Sequence, residues 1–182
     1  MSAAGGTGGT GRLAGQSKDE IDAIASKKGL IAFYPKDREL LIDFDEPFET
    51  GVIKLAAEIG SGRTQAILRE SDNIVVVNQF YTKSKSGRTH AYILLSHDIN
   101  NYERCLLQAL FKSDPAREAF NFIRTRRNEP DSIALFETPD QAKLVTKWRN
   151  NYKFRLHREV LEKARKDKAE YESMIDYESH AI

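Results

Sequence analysis

The stretch Glu39-Leu40-Leu41-Ile42-Asp43-Phe44-Asp45-Glu46-Pro47 decides how this chain is read. It is a short apolar run that ends in two carboxylates two residues apart. In a strand, successive side chains point to opposite faces, so Ile42 and Phe44 share one face while Asp43 and Asp45 share the other. One face enters a core; the other carries two acids roughly 7 Å apart along the backbone. Hard oxygen donors at that spacing can converge on a divalent cation that bridges phosphates. Two solvated acids at a strand end are the plainer alternative.

Working outward, Leu30 to Tyr34 reads as a preceding strand and Pro35-Lys36-Asp37-Arg38 as a turn, which pairs the two strands as a hairpin. Ser17 and Glu20 form a capping-box pattern before a weakly apolar helical face at Ile21 and Ile24. After Pro47, a helix over 49–59 is expected from the 3.6-residue spacing of Val52, Ile53, Ala56, Ala57 and Ile59, with Gly60 as its stop. The β-branched run within 73–81 favours a buried strand. The polar tip Thr82 to Thr89 turns it, and His90 to Leu95 is the return strand. Helices follow over 101–111 and 115–127, with Ser113-Asp114-Pro115 supplying a cap and a first-turn proline. A short strand over 132–137 ends at Glu137, and a long helix runs from Thr138 to about Tyr171.

This order predicts an α+β domain, with a mixed or antiparallel sheet and helices on one face. The expected divisions are a Gly- and Thr-rich tail over 1–17, a core over 18–140, and a basic C-terminal helix with an acidic tail over 141–182. The tail has too few bulky apolar groups to offset ordering entropy. Its glycines lack the preceding strand and the Gly-Lys-Ser/Thr ending of a phosphate loop. With 40% hydrophobic residues the chain can build a core. Its net charge of +1 leaves nucleic-acid affinity to local patches. The lone cysteine, Cys105, lies in an apolar helical pattern and reads as a buried structural thiol. No signal core and no membrane-length apolar run is present, so a cytoplasmic protein is expected.

Three more groups carry chemistry. Lys83, Lys85 and Arg88 put positive charge on a tip where Ser86 and Gly87 would let backbone amides face a phosphate. His90 enters the return strand on the face of Arg88 and Tyr92. Glu137 closes an apolar strand, where it serves either as a metal ligand or as an acid at the start of a helix. Along the last helix, Lys143, Lys147, Arg149, Lys153, Arg155 and Arg158 recur with no acid between them, interleaved with Trp148, Tyr152 and Phe154. They suit a nucleic-acid backbone, although Trp148 has the spacing of a core residue. Arg124, Arg126 and Arg127 form a second basic patch.

An apolar strand into Asp43-x-Asp45, then Ser86-Gly87-Arg88-Thr89-His90 into a strand, then an apolar strand into Glu137, in that order, resembles the archaeo-eukaryotic primase (primase-polymerase) superfamily over roughly residues 30 to 140. The resemblance implies an RRM-like catalytic module that binds two Mg2+ or Mn2+ ions and a nucleoside triphosphate. Asp43, Asp45 and Glu137 would be metal ligands, and Asp43, Asp45 and His90 catalytic. Ser86, Arg88, His90 and Lys83 would hold the nucleotide, and Lys143, Lys147, Arg149, Lys153 and Arg155 the nucleic acid. The chain departs from the family in its shortness, in its glutamate at the third motif, where aspartate is commoner and Asp131 lies near, and in lacking a zinc-binding motif or a helicase domain. A small phage or plasmid replication protein, working with a replication partner in a host cytoplasm, fits that economy. The function expected is nucleotidyl transfer in DNA replication. The alternative is a non-catalytic nucleic-acid-binding or host-interaction accessory protein on the same scaffold.

Overall fold

The computed structural model describes residues 17–128 and 134–153. Their order is α1 (Lys18–Lys27), β1 (Ile31–Phe33), β2 (Glu39–Pro47), α2 (Phe48–Ile59), α3 (Gly62–Glu70), β3 (Val76–Lys83), β4 (Arg88–Leu95), α4 (Asn101–Leu110), α5 (Pro115–Arg126), β5 (Leu135–Glu137) and α6 (Pro139–Lys153). The class is mixed α+β, and all strand pairs are antiparallel.

The central sheet is β2-β4-β3, and β1 pairs instead with β5. The expected β1–β2 hairpin is therefore corrected. The Pro35 turn reverses the chain, but Ile31, Ala32 and Phe33 find Glu137, Phe136 and Leu135. Helices on one face is also corrected, because the central sheet is covered on both sides. Leu40, Ile42 and Phe44 of β2, with Ile93 and Leu95 of β4, pack with Leu55 of α2, Leu68 of α3 and Leu107 of α4. On the other face Leu41, Tyr92 and Leu94 pack with Phe33 of β1, Leu135 of β5 and Val145 and Trp148 of α6. Strict alternation along β2 builds both layers at once.

Helix α3 was not expected from the sequence. Ser61 caps it by accepting from the Thr64 amide, and only Thr64 and Leu68 of its nine residues are buried. The caps of α1 and α5 are as the sequence reads, Ser17 with Glu20 and Asp114 before Pro115, and the structure adds a capping box of Asn100 with Glu103 on α4. Cys105 is buried, and burial pushes its thiol up to about 11, an inert group at neutral pH. No described helix is long and apolar enough to cross a membrane.

β2 lies at the edge of its sheet, so one side of its backbone needs partners other than a strand. The α4–α5 turn supplies them. The Leu41 amide donates to Gln108 Oε1 at 2.8 Å and the Asp43 amide to Ser113 Oγ at 3.1 Å. The Asp43 carbonyl accepts from the Asp114 amide at 2.8 Å, and the Leu41 carbonyl from Arg117 Nη1 at 2.7 Å. Buried Glu118 ties these donors together by accepting from Gln108, Ser113, Arg117 and Asn121. The backbone of Asp43 is thus held at both its polar atoms.

Gly51 lets α2 approach β4 closely. A Cβ there would lie 2.0 Å from Thr89 Oγ1 and 2.8 Å from Thr89 Cβ. Thr89 is fully buried and donates to the Glu46 carbonyl, so it has no room to yield. Gly51→Ala gains at most about 1 kcal/mol of helix propensity. It loses about 1–3 kcal/mol to overpacking. Net destabilisation is expected, read as a lower midpoint in urea unfolding.

Candidate active site

The register sets Asp43 of β2 opposite His90 of β4, and His90 opposite Thr82 of β3. Facing residues on adjacent antiparallel strands point to the same side. These three therefore share the face that also carries Leu41 and Tyr92. Along β2, exposure rises from 0% at Leu41 to 30% for the Asp43 side chain and 60% for that of Asp45. The row leaves the core and opens to solvent at the acids.

Glu137, at the end of β5, reaches the same place from the second sheet and is 0% exposed. Its Oε1 accepts from Thr82 Oγ1 at 2.6 Å and from Tyr92 OH at 2.8 Å, and lies 2.9 Å from His90 Nδ1. Where Glu137 acts as a carboxylate it only accepts, and Nδ1 is then the atom that carries the hydrogen. The other ring nitrogen, Nε2, lies 3.8 Å from Asp43 Oδ1, beyond hydrogen-bond range. Burial, then the Glu137 charge, raises the Tyr92 hydroxyl well above its ordinary pKa and keeps it a donor. The Oε2 atom of Glu137 is buried without a partner.

A bulge interrupts β2 after Phe44, so the alternation argument carries Asp43 but stops short of Asp45. Asp45 pairs with Arg88. The neighbouring tip is less open than its composition suggests. The Gly87 amide donates to the Ser84 carbonyl, and the Arg88 amide to Ser84 Oγ at 3.0 Å. These amides do not face outward for a phosphate as expected, and the φ of +84° at Gly87 serves the turn itself. Ser86 Oγ lies 3.0 Å from Ser84 Oγ, Lys83 pairs with Glu49 at 3.1 Å, and Lys85 donates to the Lys28 carbonyl. Such exposed pairs are worth about 0–1 kcal/mol and exchange readily for a ligand.

Among the described residues, no three His, Cys, Asp or Glu side chains gather as a preformed metal cage. Mg2+ is commonly held by only one or two carboxylates together with substrate phosphates. Asp43 is partly open and, among the described residues, unpaired at hydrogen-bond distance, whereas Asp45 is exposed and engaged by Arg88. Glu137, sealed from solvent and already accepting three hydrogen bonds, fits that donor set poorly.

The basic helix divides. Lys143 and Lys147 line a groove of about 520 Å3 between α6 and β1, floored by Ile31, Phe33 and Ala142. Arg149 is corrected: its side chain is only 12% exposed, pairs with Glu39 Oε2 at 2.5 Å and donates to the Tyr34 carbonyl. It also lies over the Phe33 and Tyr92 rings at 5.1 and 5.8 Å, so it is a core cation and not a nucleic-acid contact. Arg124 is buried too and leaves the patch with Arg126 and Arg127. Trp148 packs in the core, stacked on Phe80 and bonded to Asn78 Oδ1 at 3.1 Å. The side chain of Lys153, all of Arg155 and Arg158, and Asp131 lie outside the described residues. Thr82 and Tyr92 were missed as site residues. Parity was the available signal, since Tyr92 is two residues from His90 on the same strand.

No family model matches the chain, and neither does any curated protein or solved structure.

Proposed function

We propose that this chain is a metal-dependent nucleotidyltransferase of the primase-polymerase type acting on nucleic acid in DNA replication. Its core would be RRM-like, and α6 would continue as a long basic helix. The observation that carries this reading is the meeting of Asp43, His90 and Glu137 from three distant segments, with Asp43 opening to solvent. A strand-end acid facing a histidine suits a nucleoside triphosphate with its divalent ion. When bound, Mg2+ or Mn2+ would neutralise phosphate charge and activate the attacking hydroxyl. Asp43 and Asp45 would hold it. His90, when its ring also carries a proton on Nε2, would donate from Nε2 to a phosphate oxygen. Arg88, Lys83 and Ser86 would trade their exposed partners for the remaining phosphates. Base pairing to a template would supply sequence choice, and the protein would supply positioning. Primer synthesis and extension with Mn2+ and labelled nucleotides tests this reading. Absence of both with folded protein rules it out.

The groove beside Lys143 and Lys147 favours a second reading, a non-catalytic nucleic-acid-binding accessory protein. None of the groove's lining residues is acidic. Lysines four apart on a helix are neighbours on one face and would follow a phosphate backbone. Lys143→Glu with Lys147→Glu is expected to weaken single-stranded DNA binding at least tenfold. It should also flatten the salt slope by about 1.4, at about 0.7 per lost contact. Unchanged anisotropy titrations would remove α6 from the nucleic-acid surface.

A further inference from the structure

We infer that Glu137 is a positioning residue that fixes the His90 ring, and that a divalent ion reaches Asp43 and Asp45 together with a triphosphate instead of resting on a third protein acid. The ligand's identity rests on the function proposed above; the role of Glu137 rests on its own geometry.

A ligating carboxylate must turn an oxygen toward the cation and usually toward water. Glu137 has no exposed surface. Two strands aim three donors at its Oε1: Thr82 from β3, and His90 and Tyr92 from β4, with Glu137 itself on β5. Moving Oε1 onto a metal would strand two hydroxyls and a ring N–H in the core, each at about 1–3 kcal/mol. Those three donors replace hydration at Oε1, while Oε2 is buried without a partner among the described residues. Their consequence is directional. With Nδ1–H held inward at 2.9 Å, the ring has one orientation and presents Nε2 at the mouth, beside Asp43. Carboxylates fix metal-bound histidines in this way; here the ring, once protonated at Nε2 as well, would donate to a phosphate. Two acids then remain for the ion, and one of them, Asp45, is already paired with Arg88. A triphosphate would both draw Arg88 away and complete the coordination.

The test uses the full chain with Glu137→Gln, which keeps an acceptor oxygen but removes the charge a metal ligand needs, and with Glu137→Ala, which removes both. Long-range proton–nitrogen spectra report which ring nitrogen of neutral His90 carries hydrogen. Nδ1–H is expected in the parent chain and in Glu137→Gln, and a mixture in Glu137→Ala. Electron paramagnetic resonance follows Mn2+ binding, alone and with an α,β-methylene deoxynucleoside triphosphate. Binding at least tenfold tighter with the triphosphate is expected, and within about twofold of parent in Glu137→Gln. If Glu137→Gln loses Mn2+ as fully as Asp43→Ala does, Glu137 is a metal ligand and the inference fails. Tight Mn2+ binding without triphosphate also overturns it, as does an Nε2–H ring in the parent chain. If Asp43→Ala binds Mn2+ and triphosphate like the parent, the nucleotidyl-transfer reading fails instead, and the spectra still decide what Glu137 does. Glu137→Gln serves alone if Glu137→Ala does not fold.

Discussion

Glu39→Gln is expected to lower unfolding free energy by about 3–5 kcal/mol, the usual cost of leaving one partner of a buried ion pair behind. Glu39 opens β2 and is 4% exposed. Its Oε2 meets Arg149 Nη2 at 2.5 Å and accepts from the Lys36 amide at 3.3 Å. The pair pins α6 across β1 to the start of β2, with the guanidinium lying over Phe33 and Tyr92. Without the negative charge, Arg149 would keep the Tyr34 carbonyl, two ring faces and a neutral amide oxygen, too little to balance a charge whose Nε is already buried and unpartnered. The pair itself is not worth that amount. Replacing both residues, Glu39→Leu with Arg149→Met, is expected to recover most of the loss, because desolvation cancels much of the attraction. Urea midpoints of the two single variants and the double variant check the argument. Additive losses in the double variant would mean that the two side chains are not coupled.

What the sequence made legible was local. The β-branched runs, the caps at Ser17 and Asp114, and the alternation through Leu41, Ile42, Asp43 and Phe44 all act within a few residues, and α1, β2, β4 and α5 follow from them. Parity gave Asp43 and His90 each a face, but not that β2 and β4 lie side by side. What escaped was non-local. The pairing of Ile31 with Glu137 leaves no trace in either segment, while the Pro35 turn suggests a nearer partner that is not taken. Arg149 sits in a run of cations and reads as solvated until Glu39 is seen across from it. Helix α3 was hidden because Gly60 and Gly62 flank its cap and little of it is buried. The bulge after Phe44 redirects Asp45 by a backbone irregularity that residue types alone do not announce.

Asp43→Asn with Asp45→Asn is expected to cut primer extension by at least about a thousandfold while leaving the fold intact. Metal stabilisation of developing phosphate charge is worth several kcal/mol, and each 1.36 kcal/mol is a factor of ten in rate. The structural cost is small by comparison. The Asp43 carboxylate is 30% exposed, and its nearest ionic neighbour, His90 Nε2, is 3.8 Å away. What holds this residue is its backbone, through Ser113 and Asp114, which asparagine leaves untouched. Asp45 is 60% exposed and, among the described residues, pairs with exposed Arg88, a contact of about 0–1 kcal/mol. The melting temperature should therefore stay within a few degrees of the parent. Single-stranded DNA binding through Lys143 and Lys147 should persist, because no residue lining the groove belongs to β2. That separation gives the experiment its force. Lost synthesis with retained DNA binding supports a catalytic role for the two acids. Synthesis within tenfold of the parent would mean that neither acid holds an ion the chemistry needs. If the parent binds DNA but makes no primer under any condition, the accessory reading stands in place of the enzyme.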